Sequence, residues 1–138
     1  VINFVSYFED AYLLFTLPKF SYSYKKQQVN PKKVYSIDNG LSNINSISFS
    51  KDKGRMLENA VFLHLRKKYE NIYYFKGKNE CDFIIKEKNR IVAAIQVCFK
   101  LTEENKKREF GGLIDALKQH GPRGRKLTSM FGKRRSDC

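Results

Sequence analysis

The 138 residues predict an α/β fold: an α-β-β-β-α core with a helix and a β-hairpin in front of it. Three observations carry this. The runs "NIYYFKG", "CDFIIKE" and "IVAAIQVCFK" follow one another between residues 71 and 100, each with strand character. Amphipathic helical patterns flank them on both sides. The last two runs are apolar on both faces, as central strands of a covered mixed sheet are. At 41% hydrophobic residues the composition supports one domain core of ordinary size.

Taken in order, "NFVSYFEDAYLLF" places Phe4, Phe8, Ala11, Tyr12 and Phe15 at helical spacing, which predicts a helix over about residues 2–13. "LLFTLPKFSYSY" then alternates, and Pro18 suits an edge strand. "KKQQVNP" reads as a polar connector to a second strand, "KKVYSID", which stops at Asp38-Asn39-Gly40. Ser50 is placed to cap the next helix, whose buried stripe reads Leu57, Val61 and Leu65. The three strands follow, the last two joined by Lys88-Asn89-Arg90. Thr102 then caps a helix with Glu103 and Glu104 in its first turn, where negative charge suits the helix dipole. Its stripe reads Phe110, Leu113, Ile114 and Leu117, and Gly121-Pro122 ends it. "PRGRKLTSMFGKRRSDC" has no periodicity; residues 126–131 have the length of a short strand, but the composition reads as a solvated tail. The predicted organisation is therefore residues 1–47, helix and hairpin; 48–121, the core; and 122–138, a disordered basic tail.

Asp82 and Gln96 interrupt the two central strands. A buried polar side chain costs free energy unless it is hydrogen-bonded or ligated. Period-two alternation places Asp82 on the face of Ile84, and Gln96 on the face of Ala94, Cys98 and Lys100. The short turn pairs the strands and makes Asp82 and Gln96 near neighbours. Glu58 shares a helix face with Phe62 and Leu65, so it also points inward. Three oxygen-bearing side chains thus converge. Mg²⁺ prefers such hard oxygen ligands, and an ion held there could polarise a phosphodiester and activate water. The structural alternative is an acid pair neutralised by Arg108 or Lys100. His64 and His120 read as a surface residue and a helix end, not as ligands.

A helix-borne Glu, a strand Asp and a second strand bearing Gln, in the order α-β-β-β-α, resemble the PD-(D/E)xK, or restriction-endonuclease-like, nuclease fold. The resemblance implies that Asp82 and Gln96 bind metal and that Glu58 is the helical acid. The family's lysine position holds Cys98, so Lys100, on the same face, is the candidate to stand in. The implied catalytic set is Glu58, Asp82, Gln96 and Lys100, with Mg²⁺ as cofactor. The stretches "YFEDAYLLFTLPKFSYSYKKQ", "NPKKVYSIDNGL", "GRMLENAVFLHL", "ECDFII", "IQVCF" and "REFGGLIDALKQ" are together similar to the C-terminal region of prokaryotic AAA+ ATPases, itself a domain of unknown function. That resemblance covers nearly all of residues 1–121. It implies a P-loop ATPase module ahead, then a winged-helix element of which residues 1–47 are the remnant, then the nuclease-like domain. No G-x-x-x-x-G-K-[ST] occurs here, so no ATPase activity is expected of this chain. Val1 in place of methionine, and the abrupt basic end, read as marks of a fragment or of a truncated or frame-shifted gene product.

Lys and Arg number 27 against 14 Asp and Glu, a net charge of +13 that favours an anionic partner, DNA first. In the hairpin, Lys19, Lys25, Lys26, Lys32 and Lys33 are interleaved with tyrosines and are the candidate nucleic-acid contacts. Cys81, Cys98 and Cys138 have no metal-like spacing, which fits a reducing cytoplasm. No run of ~18 apolar residues occurs, so no membrane partner is expected. Two function classes remain. One is a nucleic-acid-binding, nuclease-like module that cleaves weakly or not at all. The other is a non-catalytic interaction domain that docks on an ATPase core.

Overall fold

The computed structural model describes residues 2–40, 49–88, 90–120 and 127–131. The elements run α1 (Ile2–Asp10), β1 (Leu14–Leu17), α2 (Tyr24–Val29), β2 (Lys33–Ser36), α3 (Phe49–Arg66), β3 (Ile72–Lys76), β4 (Glu80–Glu87), β5 (Arg90–Cys98), α4 (Glu103–His120) and β6 (Leu127–Phe131). β1 and β2 form an antiparallel ribbon, with Phe15 opposite Tyr35. The main sheet has the order β3-β4-β5-β6, antiparallel except for the parallel pair β5-β6. α3 to α4 is thus a restriction-endonuclease-like α-β-β-β-α core whose sheet becomes mixed through β6, preceded by a helix and ribbon of winged-helix type.

α3 and α4 cover opposite faces of the sheet. Val61, Phe62 and Leu65 of α3 pack with Phe83, Ile85 and Ile95, and the ribbon adds Leu17 and Tyr35 to this cluster. Tyr35 stacks on Phe62 with ring centroids 4.2 Å apart, which fastens the ribbon to the core. On the other face Leu113, Ala116 and Leu117 of α4 cover Cys81, Ile84 and Ala94. A reciprocal cap starts α4. Thr102 Oγ1 accepts from the Asn105 N–H at 3.3 Å, and Asn105 Oδ1 accepts from the Thr102 N–H at 2.8 Å.

Several elements differ from the sequence reading. α1 stops at Asp10 because Tyr12 takes a left-handed conformation (φ 57°), and the Tyr12 and Leu13 N–H groups bond back to the Glu9 and Phe8 carbonyls. β1 ends at Leu17; past Pro18 the chain leaves the ribbon and runs beside β3, with the Phe20 N–H on the Tyr74 carbonyl at 2.7 Å. Part of the connector read as irregular is helix α2, which buries no residue. α3 begins at Phe49, so Ser50 falls within the helix and not ahead of it.

The phase of α4 is rotated from the predicted stripe. Phe110 and Ile114 are exposed, while Glu109, Leu113, Ala116 and Leu117 are buried. Gly112 sets this phase, because a Cβ there would lie 1.8 Å from the Glu80 carbonyl oxygen. Only a residue without a side chain lets α4 come so close to β4. Residues 127–131 are not disordered tail; they form β6 beside β5. Parallel strands need a crossover connection, and α4 lies in the connection between β5 and β6. The remainder of the predicted tail lies outside the described residues.

Candidate functional site

β2 carries Lys33 and Tyr35 two residues apart, hence on one face of the ribbon. The Lys33 ammonium sits among three carboxylates of the core. It lies 3.1 Å from Glu58 Oε1 on α3, 2.8 Å from Glu80 Oε1 and 3.2 Å from Asp82 Oδ1 on β4. Tyr35 donates its hydroxyl to Glu58 Oε1 at 2.7 Å. Nearby, Asn59 spans the ribbon backbone, accepting from the Ser36 N–H at 2.9 Å and donating to the Ser36 carbonyl at 3.0 Å.

A bulge aims Asp82. Tyr73 pairs with Ile84 but Phe75 pairs with Cys81, so two steps on β3 face three on β4. The extra residue falls at Asp82-Phe83 and breaks the alternation there. Asp82 therefore turns toward Lys33 and Glu58 while Ile84 packs under α4, which corrects the shared face expected from period two. The second Asp82 oxygen, Oδ2, accepts from the Val97 N–H at 2.9 Å.

The expected site residues are brought together only in part. Glu58 and Asp82 share one cation. Gln96 does not join them: its Oε1 accepts from the Asp82 backbone N–H at 3.3 Å, and its Nε2 donates to Glu109 Oε2 at 2.8 Å. Glu80 takes the place foreseen for Gln96. Lys100 lies beyond the end of β5, exposed, and none of its described bonds reaches the acids. Arg108 bonds Glu109 at 2.7 Å and not Asp82 or Glu58. Lys33, read as a nucleic-acid contact, is taken up by the carboxylates. Lys25, Lys26 and Lys32 are exposed and Lys19 is half-buried. Glu80, Tyr35 and Glu109 escaped the sequence reading. Glu80 and Tyr35 stand two residues from Asp82 and Lys33, so strand alternation carried a signal for both. Glu109 had none, because the phase of α4 depends on Gly112.

Burial and the Glu58 charge, opposed by Lys33 and the Val97 N–H, push the Asp82 carboxyl up to about 6. Burial also resists ionisation of Glu80, but the Lys33 hydrogen bond and charge outweigh it and hold that group below its ordinary value. Glu80 is the more open of the two acids, so its desolvation is smaller. Burial alone would lower the Lys33 ammonium; the Glu58 and Asp82 charges raise it above the usual lysine range. Burial and Glu58 raise the Tyr35 phenol. A carboxyl raised on folding contributes stability that is present below its unfolded value, near 3.8, and lost as pH rises through about 6. Asp82→Asn does not titrate, so it should gain on the parent by about 2 kcal/mol between pH 4 and pH 7. Urea melts across that range measure it, and a constant difference would exclude the effect.

As arranged, these residues do not fit a divalent cation. Mg²⁺ requires oxygens at about 2.1 Å, whereas the carboxylates stand around an ammonium that fills their focus. Among the described residues, no group of three or more His, Cys, Asp or Glu side chains is placed to hold a metal ion. Nor, among those residues, is any helix long and apolar enough to cross a membrane.

An uncharacterized protein of Methanocaldococcus jannaschii is 47% identical to this chain over 123 residues, covering 86% of the chain and 26% of that protein. The chain thus spans about a quarter of the length of the curated relative it matches. No solved structure matches it. Residues 53–137, more than half of the chain, match the family described as a domain of unknown function, DUF4143, and the chain belongs to that family.

Proposed function

We propose that this chain is the nuclease-like, nucleic-acid-binding C-terminal module of a longer AAA+ family ATPase, and that its nuclease site does not cleave. The observation that carries the second half is Lys33: its ammonium holds Glu58, Glu80 and Asp82 together and takes the place that a water-activating ion would need. Cys98 supplies no cation either. Burial and Glu109 raise its thiol, which donates to the Lys100 carbonyl at 3.1 Å. The ATPase module rests on the sequence resemblance, and a cytoplasmic location on the cysteine usage.

Nucleic-acid binding is supported by the +13 charge and by α2, whose exposed Lys25 and Lys26 stand beside exposed Tyr22 and Tyr24, with Lys32 following. Such a surface neutralises phosphates and offers rings for base stacking. DNA affinity of the chain should fall steeply with salt. Replacing Lys25, Lys26 and Lys32 by Gln should reduce the salt slope by about 1 for each phosphate no longer neutralised. Fluorescence anisotropy at low and physiological salt measures both, and a salt-independent signal would remove the proposal. Incubation with plasmid DNA and Mg²⁺ or Mn²⁺ should give no nicking above a control. The chain alone should turn over no ATP.

One observation favours the other reading, a non-catalytic domain docked on an ATPase core. Phe4, Tyr7 and Tyr12 on and just after α1 are each about two-thirds exposed. Serine substitutions there that leave DNA affinity unchanged but release the ATPase module would decide for it.

A further inference from the structure

We propose that the segment joining β1 to β2 is a platform for unpaired nucleic acid, on which the rings of Tyr22 and Tyr24 stack with exposed bases while Lys25, Lys26 and Lys32 hold the phosphates. The inference rests on the nucleic-acid-binding reading above and names the class of strand that is bound. Residues 18–32 include Lys19, Lys25, Lys26 and Lys32 and no acidic side chain, so nothing on the segment itself repels a phosphate. From Ser21 to Lys32 no residue is buried, and none belongs to either core cluster. Ordering such a stretch costs conformational entropy that its own packing does not return. Loops held in solvent by a rigid scaffold are where binding groups are carried.

The scaffold here is Tyr74 of β3, which pins both ends of the segment. The Phe20 N–H donates to the Tyr74 carbonyl at 2.7 Å, and the Tyr74 N–H donates to the Pro18 carbonyl at 3.1 Å. At the far end the Tyr74 hydroxyl donates to the Pro31 carbonyl at 2.5 Å. Between these anchors Ser21 ties the turn to α2: its Oγ accepts from the Ser23 N–H at 3.2 Å, and its carbonyl accepts from the Gln27 side-chain amide. The Tyr22 ring stands at 76° to that of buried Phe20, with centroids 5.3 Å apart, and is thereby braced against the core. It is nevertheless 69% exposed, and Tyr24, the first residue of α2, is 73% exposed. Rings presented on a backbone already fixed lose little freedom when a base covers them. A duplex offers such a surface its phosphates and groove edges, because its base faces are stacked on one another. An unpaired strand offers the phosphates and the faces together, and every base has a face, so binding tolerates any sequence.

The test measures binding of the whole chain to labelled oligodeoxythymidine, to oligouridine and to a mixed-sequence DNA duplex at one low salt concentration. At least one of the single strands should bind about tenfold or more tighter than the duplex, and the better of the two identifies the source of the strand. Tyr22→Leu/Tyr24→Leu should weaken single-strand binding by about tenfold or more and leave duplex binding unchanged. Tyr22→Phe/Tyr24→Phe keeps both rings and should keep the single-strand affinity. Both tyrosines are exposed, so urea melts of the two variants should match the wild type. Duplex binding as tight as that of either single strand would overturn the inference, as would a leucine variant with undiminished single-strand affinity. A phenylalanine variant as weak as the leucine one would also overturn it, because the hydroxyls and not the ring faces would then carry the contact. In each of these cases salt-sensitive binding that depends on Lys25, Lys26 and Lys32 leaves the proposed function standing. Absence of salt-sensitive binding to all three probes would remove the proposed function and this inference with it.

Discussion

Gly112→Ala is expected to destabilise the domain by about 3 kcal/mol or more, enough to unfold a marginal protein. The added Cβ would lie 1.8 Å from the Glu80 carbonyl oxygen and 2.6 Å from its carbon. Both obstacles are backbone atoms at the start of β4, so no side chain can swing aside. Relief requires α4 to lift from the sheet, which opens the contact of Leu113, Ala116 and Leu117 with Cys81, Ile84 and Ala94. A glycine in a helix interior costs about 1 kcal/mol relative to alanine; at position 112 the close approach it permits offsets that cost. Gly111→Ala is the control. Its Cβ would meet the Asn79 side chain at 3.0 Å, a group that can shift, and helix propensity favours the change. Urea melts should show a large loss for Gly112→Ala and roughly none for Gly111→Ala; equal effects would remove the backbone explanation.

Lys33→Met is expected to cost about 3–5 kcal/mol near neutral pH, the range for removing one member of a buried ionic cluster. Methionine fills the space of the lysine stem, so the loss is electrostatic and not a cavity. Without the ammonium, Glu58 and Asp82 repel each other with Asp82 almost fully enclosed. The Asp82 carboxyl, already raised by burial and the Glu58 charge, loses the cation that opposes them and is raised further, and a carboxyl shifted in that direction costs stability as pH rises. The deficit relative to wild type should therefore shrink as pH falls from 8 toward 5. Denaturant melts of both proteins at the two ends of this range measure it. A variant that matches the wild type at pH 8, or whose deficit grows in acid, would show that Lys33 does not neutralise the acids.

Much of this could be read from residue patterns because it is local. The apolar runs of β3, β4 and β5 show in any window of the chain, and Thr102 caps α4 through a residue three positions away. Asp82 and Gln96 stood out as polar groups in buried strands, and both do satisfy each other's neighbourhood. Glu58 pointed inward on helical spacing alone. The bulge escaped, because the extra residue at Asp82-Phe83 exists only relative to β3.

Sequence by itself thus determined the α-β-β-β-α order of the core and two of the three acids at the site, but not α2 or β6. Tertiary structure alone decided what they do. Lys33 lies 25 residues from Glu58 and 49 from Asp82, and no periodicity relates them. As a sequence feature Lys33 is one of many basic residues in a chain of net charge +13, indistinguishable from Lys32 beside it. Docking of the ribbon through Tyr35 on Phe62 carries its ammonium into the carboxylates, while Lys32 stays in solvent. Periodicity encodes which face a side chain takes. Which charge it meets there is set by the packing of elements far apart in the chain, because Coulomb energy depends on distance in space and on burial.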